Sequence, residues 1–288
     1  MVMKKALVVE GGAMRGIFAS GVLDSFLAHD YNPFDFVIGV SAGASNLVGY
    51  LAQQPERSFR VITELATRRE FFDPLRFLKG GSLVDVKWLI DESNHQFPID
   101  SHKTFNQTPF FAAATNIETG RADYYQLTED NQVKILEATA ALPIAYKQTP
   151  CFSGECYTDG GVSDSIPVIE AYRRGARDIT VILSHPLSYE MHPPKVKWFT
   201  KKLFARHPHI ARSMLLRARN YNRTLDFIRN FPDDAVIRVI APPPSFSVKR
   251  LTMKKQILES GYKMGLKSGL LHLTHRSINM KRSENMKV

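Results

Sequence analysis

An α/β fold of three layers, with helices on both faces of a mostly parallel sheet, is what this sequence predicts, and the strand-turn-helix rhythm of its first fifty residues is the main reason. Lys5-Ala6-Leu7-Val8-Val9 is a short apolar run that passes through a glycine-rich turn into a segment where Ile17, Val22, Leu23, Phe26 and Leu27 recur at helical spacing. Phe34-Asp35-Phe36-Val37-Ile38 repeats the arrangement, entering through Gly39-Val40-Ser41-Ala42-Gly43 a second helix that carries Leu47, Val48 and Leu51. Composition agrees, since 288 residues at 44% hydrophobic and 23% charged suit one large core.

Further strands are expected near Phe110 and Ile179, and a last one at Ala235–Ile240 before Pro242-Pro243-Pro244. Helices are expected near Phe59, Ile135 and Val168, while residues 67–108 read as an irregular lid or pocket wall. The helix from Thr252 to about His275 has Gly261, Gly265 and Gly269 at four-residue spacing. Its lysines exclude a membrane span, so close packing on the sheet is expected. One domain over residues 1–275 results, with a basic helical insertion at about 190–232 and a basic flexible tail at 276–288.

Three motifs carry chemistry. A serine on a sharp strand-to-helix turn is held in strained backbone geometry with its hydroxyl clear of the sheet, and only small neighbours leave room for the turn. Ser41 between Gly39 and Gly43 fits that description. The first turn, Glu10-Gly11-Gly12-Ala13-Met14-Arg15-Gly16, aims unpaired N–H groups outward at the positive end of a helix, which makes an anion site. Ala13 breaks the dinucleotide-binding fingerprint and no Gly-Lys-Ser/Thr is present, so an oxyanion hole built from Gly11, Gly12 and Ala13 is preferred to a nucleotide loop, with Arg15 adding positive field. Asp159, before Gly160 and Gly161, is the candidate base for Ser41. Burial would raise its basicity, and the glycine pair would permit close approach.

In this order, residues 10–16, 39–43 and 159–161 resemble the patatin-like phospholipases. Ala138-Thr139-Ala140-Ala141-Leu142-Pro143 and Thr115-Asn116-Ile117-Glu118-Thr119-Gly120 resemble two lesser blocks of that family. The likeness runs from Lys5 to Ser184. It implies the three-layer fold, a Ser/Asp dyad needing no cofactor or metal, and acyl lipids as substrates. The chain departs from the pattern at Glu10, Ala13, Asn116 and Thr139, where the family has Asp, Gly, Asp and Ser. Alanine at position 13 keeps the N–H donor but disfavours positive φ, so the hole survives only at negative φ, which is expected there in the first turn of the helix. A Ser-Asp-His triad ending in His185 stays open as an alternative, although too few strands precede Ser41 for that fold. An acyltransferase, a thioesterase, or an anion- or membrane-binding module without activity would share the same motifs.

The net charge of +10 concentrates between Glu190 and Asp226, a stretch with basic and aromatic side chains and no acid inside it. Lys197, Lys201, Lys202 and Arg206 beside Trp198, Phe199 and Phe204 suit an anionic membrane surface; nucleic acid is the weaker reading, because no binding module accompanies the charge. From Ile210, the positions Met214, Leu215, Ala218, Tyr221, Leu225 and Ile228 form one apolar helical face. The run after Lys5 is only strand length and no stretch approaches a span, so a cytoplasmic protein that touches membranes peripherally is expected. Cys151 and Cys156 bracket a hairpin, across which a disulfide is conceivable, while reduced thiols are expected in that compartment.

Overall fold

The computed structural model describes residues 3–285, with side chains through Thr274. Strand β1 (Lys4–Val9), helix α1 (Gly16–Leu27), β2 (Phe36–Gly39) and α2 (Ala42–Leu51) form the two expected units. With β3 (Phe110–Asn116), β7 (Ala176–Ile182) and β8 (Val236–Ile240), they give a parallel array in the order β3-β2-β1-β7-β8. Chain connections lead from β1 outward through β2 to β3 and later resume at β7 on the other side of β1. The crevice beyond the carboxyl ends of β1 and β7 is therefore the topological switch point, where ligands of such sheets bind.

Alternation along β1 splits the core into two layers. Leu7 and Val9 pack with Phe18, Phe26 and Leu47 on one face, whereas Ala6 and Val8 pack with Ala171, Tyr221 and Leu225 on the other. The second layer is built from α8 (Val168–Arg173) and α10 (Pro208–Arg229), which follows the short α9 (Lys197–Leu203). The basic segment thus lies between β7 and β8, and the inner face of α10 covers the sheet.

Antiparallel strands complete the sheet and fix the site. β4 (Ala122–Gln126) pairs with Phe111–Thr115 and fills one edge of β3. The opposite edge is shared: β2 pairs at residues 110–112, and β6 (Glu155–Asp159) pairs antiparallel at 114–116. β2 and β6 therefore run toward each other end to end, with Gly39 opposite Ala112 and Asp159 opposite Ala114. That is a separation of two strand residues, about 7 Å. β5 (Cys151–Phe152) pairs with β6 with Cys151 opposite Cys156, and the two sulfurs are bonded, where the sequence reading expects thiols. Directly opposed hairpin positions bring side chains onto one face, which is what permits the bond.

Residues 67–108 hold α4 (Pro74–Leu78), α5 (Val86–Gln96) and α6 (Ser101–Asn106). They start at Asp73, Asp85 and Asp100, each of which accepts backbone N–H bonds as an N-cap. Before them comes α3 (Arg57–Arg60), which runs on into a π-helical turn at Val61–Leu65, and α7 (Gln132–Ala140) lies beyond β4.

The glycine-spaced helix, α11 (Lys255–Asn285), packs mainly on α1 and reaches the sheet at β8, whereas packing on the sheet itself is expected from the sequence. A Cβ on Gly265 would lie 2.1 Å from the Phe18 carbonyl oxygen, and one on Gly21 2.2 Å from that of Tyr262. Bare backbone on both helices is what lets them touch. Its backbone carries on through the start of the expected tail; side chains from 275 onward lie outside the described residues, as do residues 286–288.

Asp24 sits in this seam, accepting the Tyr262 hydroxyl at 2.9 Å and the Glu56 N–H at 3.1 Å. Burial raises its pKa from 3.8 to about 6 in spite of both bonds. A carboxyl raised on folding lends stability that is complete below its unfolded pKa and is lost as pH rises through the folded one. Between pH 3.8 and about 6, Asp24 should therefore withdraw on the order of 2 kcal/mol. Urea unfolding at the two ends of this window should show a smaller loss in Asp24→Asn than in the wild type. An equal loss in both proteins would contradict the assignment.

Candidate active site

Ser41 follows β2 and caps α2 with φ 52° and ψ −125°, a conformation that a residue with a Cβ avoids. The surroundings hold it there. Its N–H donates to Thr139 Oγ1 at 2.9 Å, and that hydroxyl donates in turn to the Ala113 carbonyl. A Cβ at Gly39 would come within 2.6 Å of Ala44 Cα and one at Gly43 within 2.4 Å of the Val9 carbonyl oxygen, so the turn closes only on glycine. Thr139, a departure from the family pattern, thus keeps a hydroxyl at a position that fixes the serine backbone.

Asp159 arrives from the opposite direction on β6. A Cβ on Gly160 would fall 2.1 Å from the Ala113 carbonyl oxygen, and the missing side chain is what lets the turn press against β3. The Gly161 N–H donates to Asp159 Oδ1 at 2.7 Å, while Oδ2 is sealed from solvent without a well-formed hydrogen bond. Burial drives the pKa of Asp159 above the ordinary carboxylate value; hydrogen bonding with Ser41 is the largest opposing influence, followed by the Gly161 N–H and the charges of Arg217 and Arg250. The Ser41 hydroxyl is near enough to favour the ionised carboxylate yet is not locked to it, a looseness common in unliganded sites.

The glycine-rich loop leaves β1 beside Ser41. Gly11 and Gly12 face Ser41 and Ser184, where added Cβ atoms would meet Ser41 Cβ at 3.3 Å and Ser184 Cβ at 2.7 Å. Two expectations need correction. Ala13 has φ 50°, not a negative value, because Gly12 is extended at φ −168° and the chain must reverse at once into a short 3₁₀ turn. The Gly11 N–H points to the Ser165 carbonyl at 3.4 Å, whereas those of Gly12 and Ala13 donate to no acceptor among the described residues. Positive φ strains the backbone at Ala13 without removing its donor.

Glu10 is a hub the sequence did not reveal. One carboxylate oxygen accepts the Ser184 N–H at 2.6 Å; the other accepts the Tyr221 hydroxyl at 3.0 Å and lies 3.4 Å from His185 Nδ1. His185 stacks on Tyr189 and makes no hydrogen bond to Ser41, so it stands in the place of a loop support and not of a triad base. Asn116, for its part, donates to Glu155 and Asp123 and accepts the N–H groups of Glu118 and Thr119. An aspartate could not donate to those two carboxylates.

Three arginines surround the centre. Arg15 is largely buried, with Nε lacking a partner; burial lowers its pKa first, and Arg250 adds to this. Arg217 donates to the Gly161 carbonyl at 2.6 Å and reaches Ser165 Oγ at 3.5 Å, which fastens the Asp159 turn to α10. A signal for Arg217 existed: it stands three residues after Met214 and four before Tyr221, on the very face that the apolar spacing marks as buried. Arg250 is exposed, and its carbonyl accepts the Met14 N–H at 3.4 Å.

Ser41 opens onto a cavity of about 1100 Å³, counting its mouth, between α2, the π-helical turn, α5 and α7. Its walls are overwhelmingly apolar, with Ile62, Phe71, Val84, Leu89 and Leu136 among them. Segment 67–108 supplies much of this wall, in line with the sequence reading.

The profile of the family described as patatin-like phospholipase matches residues 7–172, and that of a domain of unknown function, DUF6363, matches residues 207–276. YjjU, an uncharacterized protein of Escherichia coli (strain K12), is 40% identical over 200 residues, 68% of this chain and 55% of that protein, so the chain spans about half the length of this relative. VipD from Legionella pneumophila, a solved structure, aligns with a TM-score of 0.46 at 13% identity, over 94% of this chain and 67% of that one. The matched family region takes in the glycine-rich loop, the Ser41 turn and the Asp159 turn, and fills more than half of the sequence. This chain belongs to the patatin-like phospholipase family.

Proposed function

We propose that the protein is a serine esterase acting on acyl lipids, of the phospholipase or lysophospholipase type. The observation that carries this reading is a strained serine facing a buried, incompletely bonded carboxylate at the end of an apolar cavity. Asp159 removes the proton of Ser41 as its oxygen attacks the ester carbonyl. The N–H groups of Gly12 and Ala13, joined by that of Gly11 once it leaves the Ser165 carbonyl, stabilise the oxyanion, and Arg15 supplies positive field. Collapse expels the alcohol, which takes the proton from Asp159. Water then enters and attacks the acyl carbon as Asp159 accepts its proton; the bond to Ser41 breaks, the carboxylic acid leaves, and Asp159 returns the proton to the serine oxygen. Labelling with a fluorophosphonate probe, followed by kinetics on a panel of acyl esters, tests the assignment. Absence of both labelling and turnover would refute it.

The pH profile gives a sharper reading. Activity requires ionised Asp159, so kcat/KM on a soluble ester should rise with pH along an acid limb displaced above the usual carboxylate range. The charge on Arg217 opposes that displacement. Arg217→Gln should therefore move the limb to higher pH, while Arg217→Lys, which keeps the charge, should move it less. Coincident profiles for all three proteins would rule out electrostatic coupling between Arg217 and the base.

Access to lipid is assigned to α9. Trp198 and Phe199 are 66% and 55% exposed beside Lys197, Lys201, Lys202 and Arg206, while Thr200 and Phe204 are buried and hold the helix to the body. Aromatic rings that project among cations suit the interface of an anionic bilayer. No helix among the described residues is long and apolar enough to cross a membrane. Changing the four cations together to Gln should weaken sedimentation with anionic vesicles several-fold and lower activity on bilayer substrate, yet spare a soluble short-chain ester. Undiminished vesicle binding would return these residues to an ordinary solvated surface.

A further inference from the structure

Arg57 is 6% exposed and lines the cavity that begins at Ser41. Its Nε donates to the Phe97 carbonyl at 3.0 Å and Nη2 reaches Asn94 Oδ1 at 3.4 Å. No carboxylate pairs with it among the described residues. The nearest acid along the chain, Glu56, is exposed and forms no ion pair with it, and Asp24 is occupied by the Glu56 N–H and Tyr262. Burial alone lowers its pKa to about 10, which leaves it charged at neutral pH, and no acid offsets that effect. A buried, unpaired charge is among the costliest features a fold can carry. Two neutral acceptors satisfy only part of a guanidinium that has five N–H donors in a planar fork suited to a carboxylate.

Position relates Arg57 to the catalytic serine. A Cβ on Gly49 would lie 2.8 Å from Ser58 Oγ and 3.5 Å from Arg57 Cβ, so the arginine backbone packs on α2 at the level of Gly49. Gly49 is eight residues beyond Ser41, about 12 Å along the helix. Along α2 the wall between them carries Ala42, Ser45, Asn46 and Val48, aliphatic side chains such as Ile62, Leu89 and Ile90 make up most of the rest, and Ser58, Ser93 and Asn94 line the same cavity with Arg57. Serine at one end, an aliphatic passage, and an uncompensated cation along it describe a ligand with a hydrocarbon body and an anionic end.

We propose that Arg57, with Asn94 beside it, is a binding site for a carboxylate carried on an aliphatic chain inside the cavity. The carboxylate can belong to a free fatty acid lying with its head at Arg57, or to the far end of an acyl chain whose ester carbonyl sits at Ser41. The inference deepens the acyl-hydrolase reading by naming the ligand chemistry, and its binding test does not depend on turnover.

Calorimetric titration of the full chain with dodecanoate and with dodecanol tests it. The wild type should bind the carboxylate about tenfold or more tighter than the alcohol, the range expected of a hydrogen-bonded ion pair formed out of water. Arg57→Gln should abolish the preference, and Arg57→Lys should retain part of it through charge without the fork. Equal affinity of the wild type for both ligands would overturn the proposal, and this comparison needs no variant to fold. A preference that survives Arg57→Gln would also overturn it, since the carboxylate would then sit elsewhere, as at Arg15 or Arg250 near Ser41. Once binding is established, nitrophenyl dodecanoate and the nitrophenyl monoester of dodecanedioate separate the sources. Faster turnover of the monoester by the wild type, lost in Arg57→Gln, assigns the acyl-chain terminus; no advantage assigns the free fatty acid. Carboxylate binding at Arg57 without turnover of any ester would uphold this site while refuting the esterase reading.

Discussion

Ser41→Ala is expected to eliminate fluorophosphonate labelling and to lower ester hydrolysis on the order of 10⁴-fold or more. The reason is chemical: alanine leaves the Thr139 bond to the backbone N–H and the glycine contacts intact and removes only the attacking oxygen. Stability provides a second readout that an ordinary surface turn would not give. Both serine and alanine carry the strain of φ 52° at this position, whereas glycine does not. Left-handed backbone costs a residue with a Cβ about 1–2 kcal/mol. Ser41→Gly should therefore be inactive, yet more stable than Ser41→Ala by about 1 kcal/mol in urea unfolding. An active Ser41→Ala would refute Ser41 as the nucleophile, and a Gly variant less stable than the Ala variant would show that the strain at Ser41 has been misread.

Strands β1, β2 and β3, the helices after the first two, and the glycine turns were legible because each is a local pattern: an apolar run, a glycine cluster, a helical repeat. Meeting of Ser41 and Asp159 was not legible in that way. It depends on β6 sharing an edge of β3 with β2, a pairing between residues far apart in sequence that no local signal encodes. Ala13 failed for a related reason. Its φ is set by the extended Gly12 before it and the immediate 3₁₀ turn after it, and the tertiary demand overrides the residue's own preference. Cys151 and Cys156 were assigned by compartment, whereas the register of the hairpin decided their geometry. Arg57 stood in no motif. What marks it is the absence of a partner carboxylate among the described residues, and absence of a contact is visible only once the contacts are known.

Asp159→Asn is expected to lower kcat on the order of 10⁴-fold while leaving the fold in place. The amide nearly matches the carboxylate in volume and can keep accepting the Gly161 N–H through its oxygen, but its nitrogen cannot accept the proton of Ser41. Removal of the buried charge relieves a group whose ionised form is disfavoured by burial, so the variant should not be less stable near neutral pH. Sign and direction follow from the raised pKa: the wild type loses stability as pH climbs through the folded value of Asp159, and Asp159→Asn should lack that component. Lost activity together with kept or increased stability is the signature of a carboxylate retained for chemistry and not for folding. His185→Ala supplies the control, because it disturbs the Glu10, Tyr189 and Tyr221 cluster without touching the proton path, and most activity should remain. An essential His185 with a dispensable Asp159 would replace the dyad by a triad and reassign the base.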